Sequence, residues 1–284
     1  MTMPMNGKRV VITGATSGIG KAAAQELVRR GATVGIVGRN KAKTEAAAEE
    51  LGAADVFIAD LAELGDVRAV AADIADRWPS VDVLVNNAGM NSIAAQRTTD
   101  GFEPMAATNL LAPLLLTELL HDSLKAAAPA RVVNVASEAH RIAATLDPSA
   151  IASWPIPANS LDLNRAYGRT KLALLLVMQE LAERWKADRI DVNNCCPGLV
   201  ATNLAGDDNP FTHASKLFSR TPLVRRPEQG AAVVVRLACD PAMAGRTGEF
   251  HSSTPMAGLL PPTPRRRDRE LQSATFDAVS ALIS

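Results

Sequence analysis

The sequence is poor in cysteine and histidine, the residues on which disulfide-linked and many metal-binding proteins depend. It contains three cysteines, Cys195, Cys196 and Cys239, and four scattered histidines in 284 residues. Three cysteines are too few for a disulfide framework, and neither residue type has the spacing of metal ligands. We therefore expect a protein of the reducing cytoplasm that binds no metal.

The chain also lacks an excess of either charge and any long hydrophobic run. Lys and Arg together number 30, as do Asp and Glu, so no overall field attracts nucleic acid or an anionic membrane. The longest purely apolar run, residues 172–178, is far shorter than the roughly 18 residues of a transmembrane helix. The N-terminal MTMPMNGKRV has no signal-peptide core. The sequence predicts a soluble protein without nucleic-acid or membrane partners.

What the chain does have is an alternation of strand-like and helix-like segments. Short runs of β-branched and apolar residues occur at 9–13, 33–37, 55–59, 81–85, 131–135 and 189–195, separated by segments long enough for helices. This alternation predicts a doubly wound parallel sheet of the α/β class. From the length and the 47% hydrophobic composition we expect one domain over 1–284, with a core at about 7–252 and a C-terminal loop and helix at 253–284.

The first predicted strand runs into a glycine-rich turn, VITGATSGIG, and then into the helix-forming KAAAQELVRR. Gly14 would allow a tight turn, Gly18 a close approach of the main chain to a ligand, and Gly20 close packing of the helix on the sheet. The free N–H groups of that helix would then face a pyrophosphate. A turn that needs glycine for structural reasons alone is the alternative, because the spacing differs from the G-x-G-x-x-G fingerprint.

The chain has one tyrosine, Tyr167, and Lys171 follows it by four residues. On a helix the two side chains share a face, and a nearby ammonium lowers the pKa of a phenol. Such a tyrosine can donate a proton to a ketone oxygen or take one from an alcohol. The alternative is an aromatic side chain beside a solvated lysine. Ser137, directly after the fifth predicted strand, could hydrogen-bond the same oxygen or merely cap the next segment.

Pro113 interrupts the helix-like segment that follows the fourth predicted strand. Because proline has no N–H, it leaves the carbonyl of Asn109 without its helical partner. The segment therefore predicts a kink with a free carbonyl at Asn109, or else an ordinary helix with Pro113 in its first turn.

Four motifs occur in order along the chain: TGATSGIG at 13–20, NNAG at 86–89, Ser137, and YGRTK at 167–171. Together they resemble the short-chain dehydrogenase/reductase family over about residues 7–252. The segment RAYGRTKLA and the long gap before Tyr167 resemble its retinol-dehydrogenase-like branch. The resemblance implies a single-domain Rossmann-type oxidoreductase that transfers a hydride between a nicotinamide cofactor and a carbonyl or alcohol. The alternative is a non-catalytic nucleotide-binding regulatory or scaffold protein on the same fold.

The resemblance also implies roles for individual residues. Tyr167 is the acid/base, Lys171 tunes it and binds ribose, Ser137 orients the substrate oxygen, and the carbonyl of Asn109 holds a water on the proton path. Asp60 could equally cap the helix that follows it. The implied cofactor contacts are Gly14, Thr16, Ser17, Gly18, Ile19, Gly20, Asp60, Leu61, Asn87, Ala88, Gly89, Tyr167, Lys171, Pro197, Gly198 and Thr202.

The end of the second predicted strand bears on the choice of cofactor. Residues 35–44, GIVGRNKAKT, contain no acid to bind a ribose 2′-hydroxyl and offer Arg39, Lys41 and Lys43. The planar fork of an arginine suits a 2′-phosphate. We therefore expect NADP(H) rather than NAD(H), although Ser17 stands where many NADP-using relatives carry a second basic residue.

Two irregular stretches, 138–161 and 198–227, follow strand ends and are candidate walls of a substrate pocket or else solvated loops. The stretch 138–161 favours a bulky hydrophobic substrate, because it contributes Ile142, Ile151, Trp154, Pro155, Ile156 and Pro157.

Near the C-terminus, the cluster Arg265, Arg266 and Arg267 is expected to be a solvated charge run.

Residues 172–178 and 110–116 are apolar around most of a helix, whereas a helix with one face in water shows a stripe. One face of each meets the sheet, so the other needs a second cover. Loops of the same chain could supply it. We expect instead a partner subunit across a two-fold axis, giving a homodimer or homotetramer with Met178 on the outward face.

Overall fold

The computed structural model describes residues 5–143, 145–200, 225–255, 257, 261 and 263–284, so Thr202 lies outside the described residues. The described chain is built around a parallel sheet of β1 (Arg9–Thr13), β2 (Thr33–Gly38), β3 (Asp55–Ile58), β4 (Val83–Asn86), β5 (Ala130–Val135), β6 (Ile190–Cys196) and β7 (Phe250–Ser252). Their order across the sheet is β3-β2-β1-β4-β5-β6-β7. The predicted doubly wound fold is confirmed. The sequence pattern does not indicate β7, because three residues at a sheet edge show no periodicity.

Helices cover both faces of this sheet. They are α1 (Gly18–Arg29), α2 (Lys41–Leu51), α3 (Leu64–Arg77), α4 (Pro104–Ala106), α5 (Ala112–Leu119), α6 (His121–Ala126), α7 (Ser160–Arg184), α8 (Pro227–Cys239) and α9 (Arg269–Ile283). A π-helical segment, Ala107–Leu111, joins α4 to α5, and 3₁₀ turns form at Glu138–Ile142, Pro148–Ser153 and Pro264–Arg267. None of the helices in the described ranges has the length and apolarity that crossing a bilayer requires.

The core consists of two apolar layers, one on each face of the sheet, because successive side chains of a strand point to opposite faces. In β1, Val11 belongs to the layer under α3, α5 and α7, whereas Val10 and Ile12 belong to the layer under α1, α2 and α8. Val132 and Val133 of β5 divide in the same way. Both faces of the central strands are therefore buried, as a parallel sheet requires.

The C-terminal helix α9 packs against α7 and touches α5. Its residues Phe276, Val279 and Ile283 join the same apolar cluster as Leu174 and Met178 of α7. Met178 is fully buried within the single chain, so the expectation that it faces a partner subunit is wrong. The second cover comes from the chain's own C-terminus, and these helix faces supply no argument for a dimer or tetramer.

The predicted solvated arginine cluster is also wrong for two of its three members. Arg265 donates a hydrogen bond to the carbonyl of Ala143 over 2.7 Å. The guanidinium of Arg266 lies 5.0 Å from the centre of the Phe250 ring. Both side chains are half-buried, and only Arg267 is exposed. Arg265 therefore contacts the loop that follows β5, Arg266 contacts β7, and only Arg267 extends into water.

Candidate active site

A pocket of about 480 Å³ opens at the carboxyl ends of β1, β4, β5 and β6, with α7 along one side. The strand order reverses between β1 and β4, and open α/β sheets bind their ligands at the carboxyl ends of the strands at such a point. Most of the predicted site residues line it: Gly14, Thr16, Ser17, Gly18, Ile19, Gly20, Asn87, Ala88, Gly89, Ser137, Tyr167, Lys171, Pro197 and Gly198.

The glycine turn after β1 has the geometry that its sequence predicts. Gly14 has a φ of +69°, a left-handed conformation that side chains disfavour. A Cβ on Gly20 would lie 2.5 Å from the carbonyl oxygen of Gly14, so α1 can start this close to β1 only with glycine. Ser17, the N-cap of α1, makes no capping hydrogen bond with its side chain. The N-terminus of α1 therefore opens toward the pocket, which suits a phosphate.

The NNAG segment after β4 is tied to this turn by hydrogen bonds. The hydroxyl of Thr13 accepts from the N–H groups of Asn87 and Ala88 over 3.0 and 2.9 Å. The side-chain amide of Asn87 donates to the carbonyls of Thr13 and Gly14. Two adjacent strand ends thus form one rigid cradle without bulky side chains, which fits a nicotinamide dinucleotide.

Ser137, Tyr167 and Lys171 meet on the opposite wall of the pocket. The side chains of Tyr167 and Ser137 both line this wall, and the hydroxyl of Ser137 acts to lower the pKa of Tyr167. Lys171 is buried, its ammonium donates to the carbonyl of Val135 over 2.9 Å, and its nitrogen lies 5.7 Å from the centre of the Tyr167 ring. The spacing of four residues on α7 therefore does place both groups at one pocket wall, as predicted.

The expected effect of Lys171 on the tyrosine is not what the structure shows. Burial raises the pKa of Tyr167 to about 12, and the neighbouring hydroxyl of Ser137 offsets only part of this rise in the pKa. Burial also lowers the pKa of Lys171 to about 8. Desolvation disfavours both charged forms, phenolate and ammonium alike. Burial therefore outweighs the neighbouring ammonium, and the prediction of a lowered phenol pKa is wrong.

Asn109 lies behind the pocket, in the π-helical segment that precedes Pro113. The backbone N–H of Ala112 bonds to the carbonyl of Ala107, five residues back, so the predicted irregularity in this helix is present. The fully buried side chain of Asn109 exchanges two hydrogen bonds of 2.9 Å with the backbone of Met90. A Cβ on Gly89 would lie 3.1 Å from Asn109 Oδ1 and 3.6 Å from the Lys171 nitrogen. Asn109 and Lys171 therefore flank the same glycine.

The remaining predicted cofactor contacts lie outside this pocket, at the ends of β2 and β3. Arg39 is largely exposed, and its guanidinium is 3.5 Å from a carboxylate oxygen of Asp60. Asp60 accepts from the N–H of Ala62 and does not cap α3, whose N-cap is Glu63. Leu61 packs against the core.

The loop after β5 supplies less of the pocket wall than its composition suggests. Ile151 and Trp154 are buried in the core. Pro155, Ile156 and Pro157 line a separate depression beside Arg165.

Among the residues that the structure describes, no group of three or more His, Cys, Asp or Glu side chains is arranged to hold a metal ion.

Sequence reasoning missed pocket residues that carry no motif. Asn164 lines the pocket three residues before Tyr167, and helical spacing from that tyrosine is the signal that could have found it. Cys196 ends β6 and also lines the pocket. Its sulfur accepts a hydrogen bond from the N–H of Glu138 over 3.3 Å, so it joins β6 to the segment that carries Ser137.

Comparison with known proteins agrees with this geometry. Residues 8–148 match the family described as short chain dehydrogenase, and residues 157–252 match the family described as enoyl-(acyl carrier protein) reductase. Retinol dehydrogenase 14 of Mus musculus is 35% identical over 283 residues, covering 90% of this chain and 81% of the relative. The chain belongs to the short-chain dehydrogenase/reductase family.

Two further relatives agree with this membership. A Streptomyces protein (strain C5) named for daunorubicin C-13 ketoreductase activity, DnrU, is 34% identical over 98% of this chain and 93% of its own length. The complex of Pseudomonas aeruginosa RhlG with NADP is 27% identical over 89% of this chain and 97% of that one, with a TM-score of 0.69. The predicted family and its retinol-dehydrogenase-like branch are confirmed. This short-chain dehydrogenase/reductase is an NAD(P)-dependent oxidoreductase that acts on a carbonyl or alcohol group of a small molecule.

Proposed function

We propose that the protein is an NADP(H)-dependent reductase or dehydrogenase of a bulky apolar carbonyl or alcohol, with Tyr167 as its acid/base. The observation that carries the proposal is the meeting of Tyr167, Ser137 and Lys171 in one pocket with the glycine turn. Nicotinamide, when bound, supplies or accepts the hydride at the substrate carbon. The protein's own residues then have to handle the proton and hold the substrate oxygen.

In the reducing direction, the hydroxyl of Tyr167 donates its proton to the carbonyl oxygen as the C–H bond forms. Ser137, which lines the same pocket as Tyr167, holds that oxygen in place. Because burial keeps the phenol protonated, the tyrosine is in the form that a proton donor needs. Oxidation of the alcohol runs through the same groups in reverse, with Tyr167 accepting the proton.

Lys171 and Asn109 have supporting roles in the proposal. The ammonium of Lys171 stabilises negative charge on the phenol oxygen as the proton leaves and binds the ribose. The backbone carbonyl of Asn109 holds a water on the path that returns a proton to Tyr167. The closeness of Asn109 and Lys171 around Gly89 supports this path.

Preference for NADP(H) rests on Arg39. The guanidinium stands exposed at the end of β2, the position at which Rossmann proteins bind the adenosine ribose. Residues 35–44 supply no acid that would repel a 2′-phosphate. The NADP complex of RhlG is consistent with this choice.

A bulky apolar substrate is supported by exposed hydrophobic side chains on the segments that form the pocket. Leu199, 64% exposed, lines the pocket directly. Ile142 packs against α7 at Gly168, the residue after Tyr167. Ile93, two residues after the pocket residue Asn91, and Leu161, in the first turn of α7, are also exposed. Large apolar side chains exposed to water beside a pocket are typical of a binding surface for an apolar ligand.

The test is to incubate the purified protein with NADPH and a panel of aliphatic, aromatic and polycyclic aldehydes and ketones, following the absorbance of reduced nicotinamide. We expect turnover that depends on Tyr167 and increases with substrate hydrophobicity. A protein that binds NADPH tightly but oxidises none of it, with any member of the panel, would be a nucleotide-binding protein instead. Turnover confined to small polar sugars would contradict the substrate class alone.

A further inference from the structure

His140 lies in the 3₁₀ turn directly after Ser137 and is fully buried. Its Nδ1 is 2.8 Å from the backbone carbonyl oxygen of Ser137. A carbonyl oxygen can only accept a hydrogen bond, so Nδ1 carries the hydrogen and donates. The hydroxyl of Ser137 in turn accepts from the N–H of Ala139 over 3.1 Å. The imidazole thus holds the backbone of Ser137. The 3₁₀ turn that contains His140 orients the hydroxyl of Ser137.

The other ring nitrogen of His140 contacts a distant part of the chain. Nε2 is 3.1 Å from the hydroxyl of Thr263. Burial lowers the pKa of His140, which keeps the ring neutral. In the neutral ring with a hydrogen on Nδ1, Nε2 is an acceptor, so Thr263 donates. One imidazole therefore joins Thr263 to the main chain of Ser137.

Residues 261 and 263–267, which we call the C-terminal strap, pack on this turn through several contacts. Arg141 donates to the carbonyl of Pro261 over 2.9 Å, and Arg265 donates to that of Ala143. The Phe250 ring stands edge-on to the His140 ring, with 5.2 Å between centres. The guanidinium of Arg266 lies over the Phe250 ring. The ring of His140 is thus fixed on two sides by residues C-terminal to β6.

We propose that His140 is a positioning residue for Ser137 and that the C-terminal strap, through the hydroxyl of Thr263, fixes the imidazole in its working orientation. The inference rests on the proposed function, because it assumes that Ser137 holds the substrate oxygen. It extends the catalytic architecture beyond residue 252, where the matched family region ends. A misplacement of a reacting group by about 1 Å can cost on the order of a hundredfold in rate.

Thr263 gives the first test, because two near-isosteric variants separate its hydroxyl from its bulk. Thr263→Val removes the donor to Nε2, and Thr263→Ser keeps it. We expect kcat for carbonyl reduction to fall roughly tenfold in the valine variant, with the KM for NADPH within about twofold of wild type. The serine variant should restore most of the lost kcat. Equal kcat in the two variants would overturn the role of the hydroxyl.

His140 gives the second test, because amide side chains of two lengths imitate its two nitrogens. Asparagine places its amide near the position of Nδ1, and glutamine reaches the position of Nε2. If support of Ser137 is what matters, His140→Asn retains more of the wild-type kcat than His140→Gln does. Adding Thr263→Val to His140→Asn should then change kcat little, because the link is already cut. A glutamine variant as active as the asparagine variant would contradict the proposal.

Tyr167→Phe separates this inference from the proposed function. If Tyr167→Phe abolishes turnover while Thr263→Val and His140→Gln stay within about twofold of wild-type kcat, the function stands and the inference is wrong. If Tyr167→Phe keeps its turnover, the assignment of the pocket fails and the role of Ser137 fails with it. Thermal unfolding of each variant shows whether a loss of kcat merely follows a loss of folded protein.

Discussion

The ammonium of Lys171 donates a hydrogen bond to the carbonyl oxygen of Val135 over 2.9 Å. This contact fastens α7 to the end of β5, two residues before Ser137. Tyr167 lies one helical turn before Lys171, so the same contact also places the phenol beside the serine. The distance between the side chains of Tyr167 and Ser137 therefore depends on the hydrogen bond from Lys171 to the backbone of β5.

The single tyrosine of the chain makes its protonation directly measurable. Because the pKa of Tyr167 is raised to about 12, we expect the ultraviolet absorbance of tyrosinate to be absent at about pH 10, where a free tyrosine is half ionised. Alkaline titration of the folded protein, with circular dichroism to confirm folding, measures this. Half-ionisation at about pH 10 in folded protein would show that burial does not control the phenol.

A pH dependence of turnover should follow from Lys171. Its pKa is lowered to about 8, so the ammonium is present below that pH and is lost above it. We expect kcat/KM for carbonyl reduction to fall as the pH rises through about 8. Lys171→Arg should lower the rate but remove this limb, because a guanidinium stays protonated above pH 12. An identical alkaline limb in the arginine variant would assign it to another group.

Arg39→Asp should exchange cofactor preference. Replacing an attraction for the 2′-phosphate by a repulsion is expected to lower kcat/KM for NADPH by at least tenfold relative to that for NADH. Lys186→Asp makes the same change of charge at an exposed residue after α7 and serves as the control. Steady-state kinetics with both cofactors measures the ratio. The assignment fails if the ratio moves equally in the two variants.

Met178→Lys tests the cover that α9 provides. Placing an unpaired ammonium at this fully buried position should lower the free energy of unfolding by about 3–5 kcal/mol. Leu119→Lys, at a leucine that is 41% exposed, should change it by no more than about 0.5 kcal/mol. Denaturant unfolding gives both values. A Met178→Lys protein of unchanged stability whose mass by light scattering drops by half would show that a partner, and not α9, covers this face.

Local patterns were sufficient to predict the architecture and much of the pocket. The alternation of apolar runs with helix-forming segments indicates a parallel sheet, since each element must bury one face. The glycine spacing after β1 and the four-residue step from Tyr167 to Lys171 are short-range geometries. Such geometries place the glycines at a strand end, and Tyr167 and Lys171 on one helix face, independently of contacts with distant parts of the chain.

Contacts between distant residues decided what the sequence alone could not. The pKa of Tyr167 is raised because surrounding elements desolvate the phenol. This effect outweighs the charge of Lys171, which is all that the sequence spacing reveals. The apolar cluster that includes Met178 is completed by residues of α9, about a hundred residues further along the chain. The link from Thr263 to His140 spans 123 residues. Hydrophobic burial and hydrogen bonding act through space, so no periodicity or motif within a local segment records which distant side chains meet.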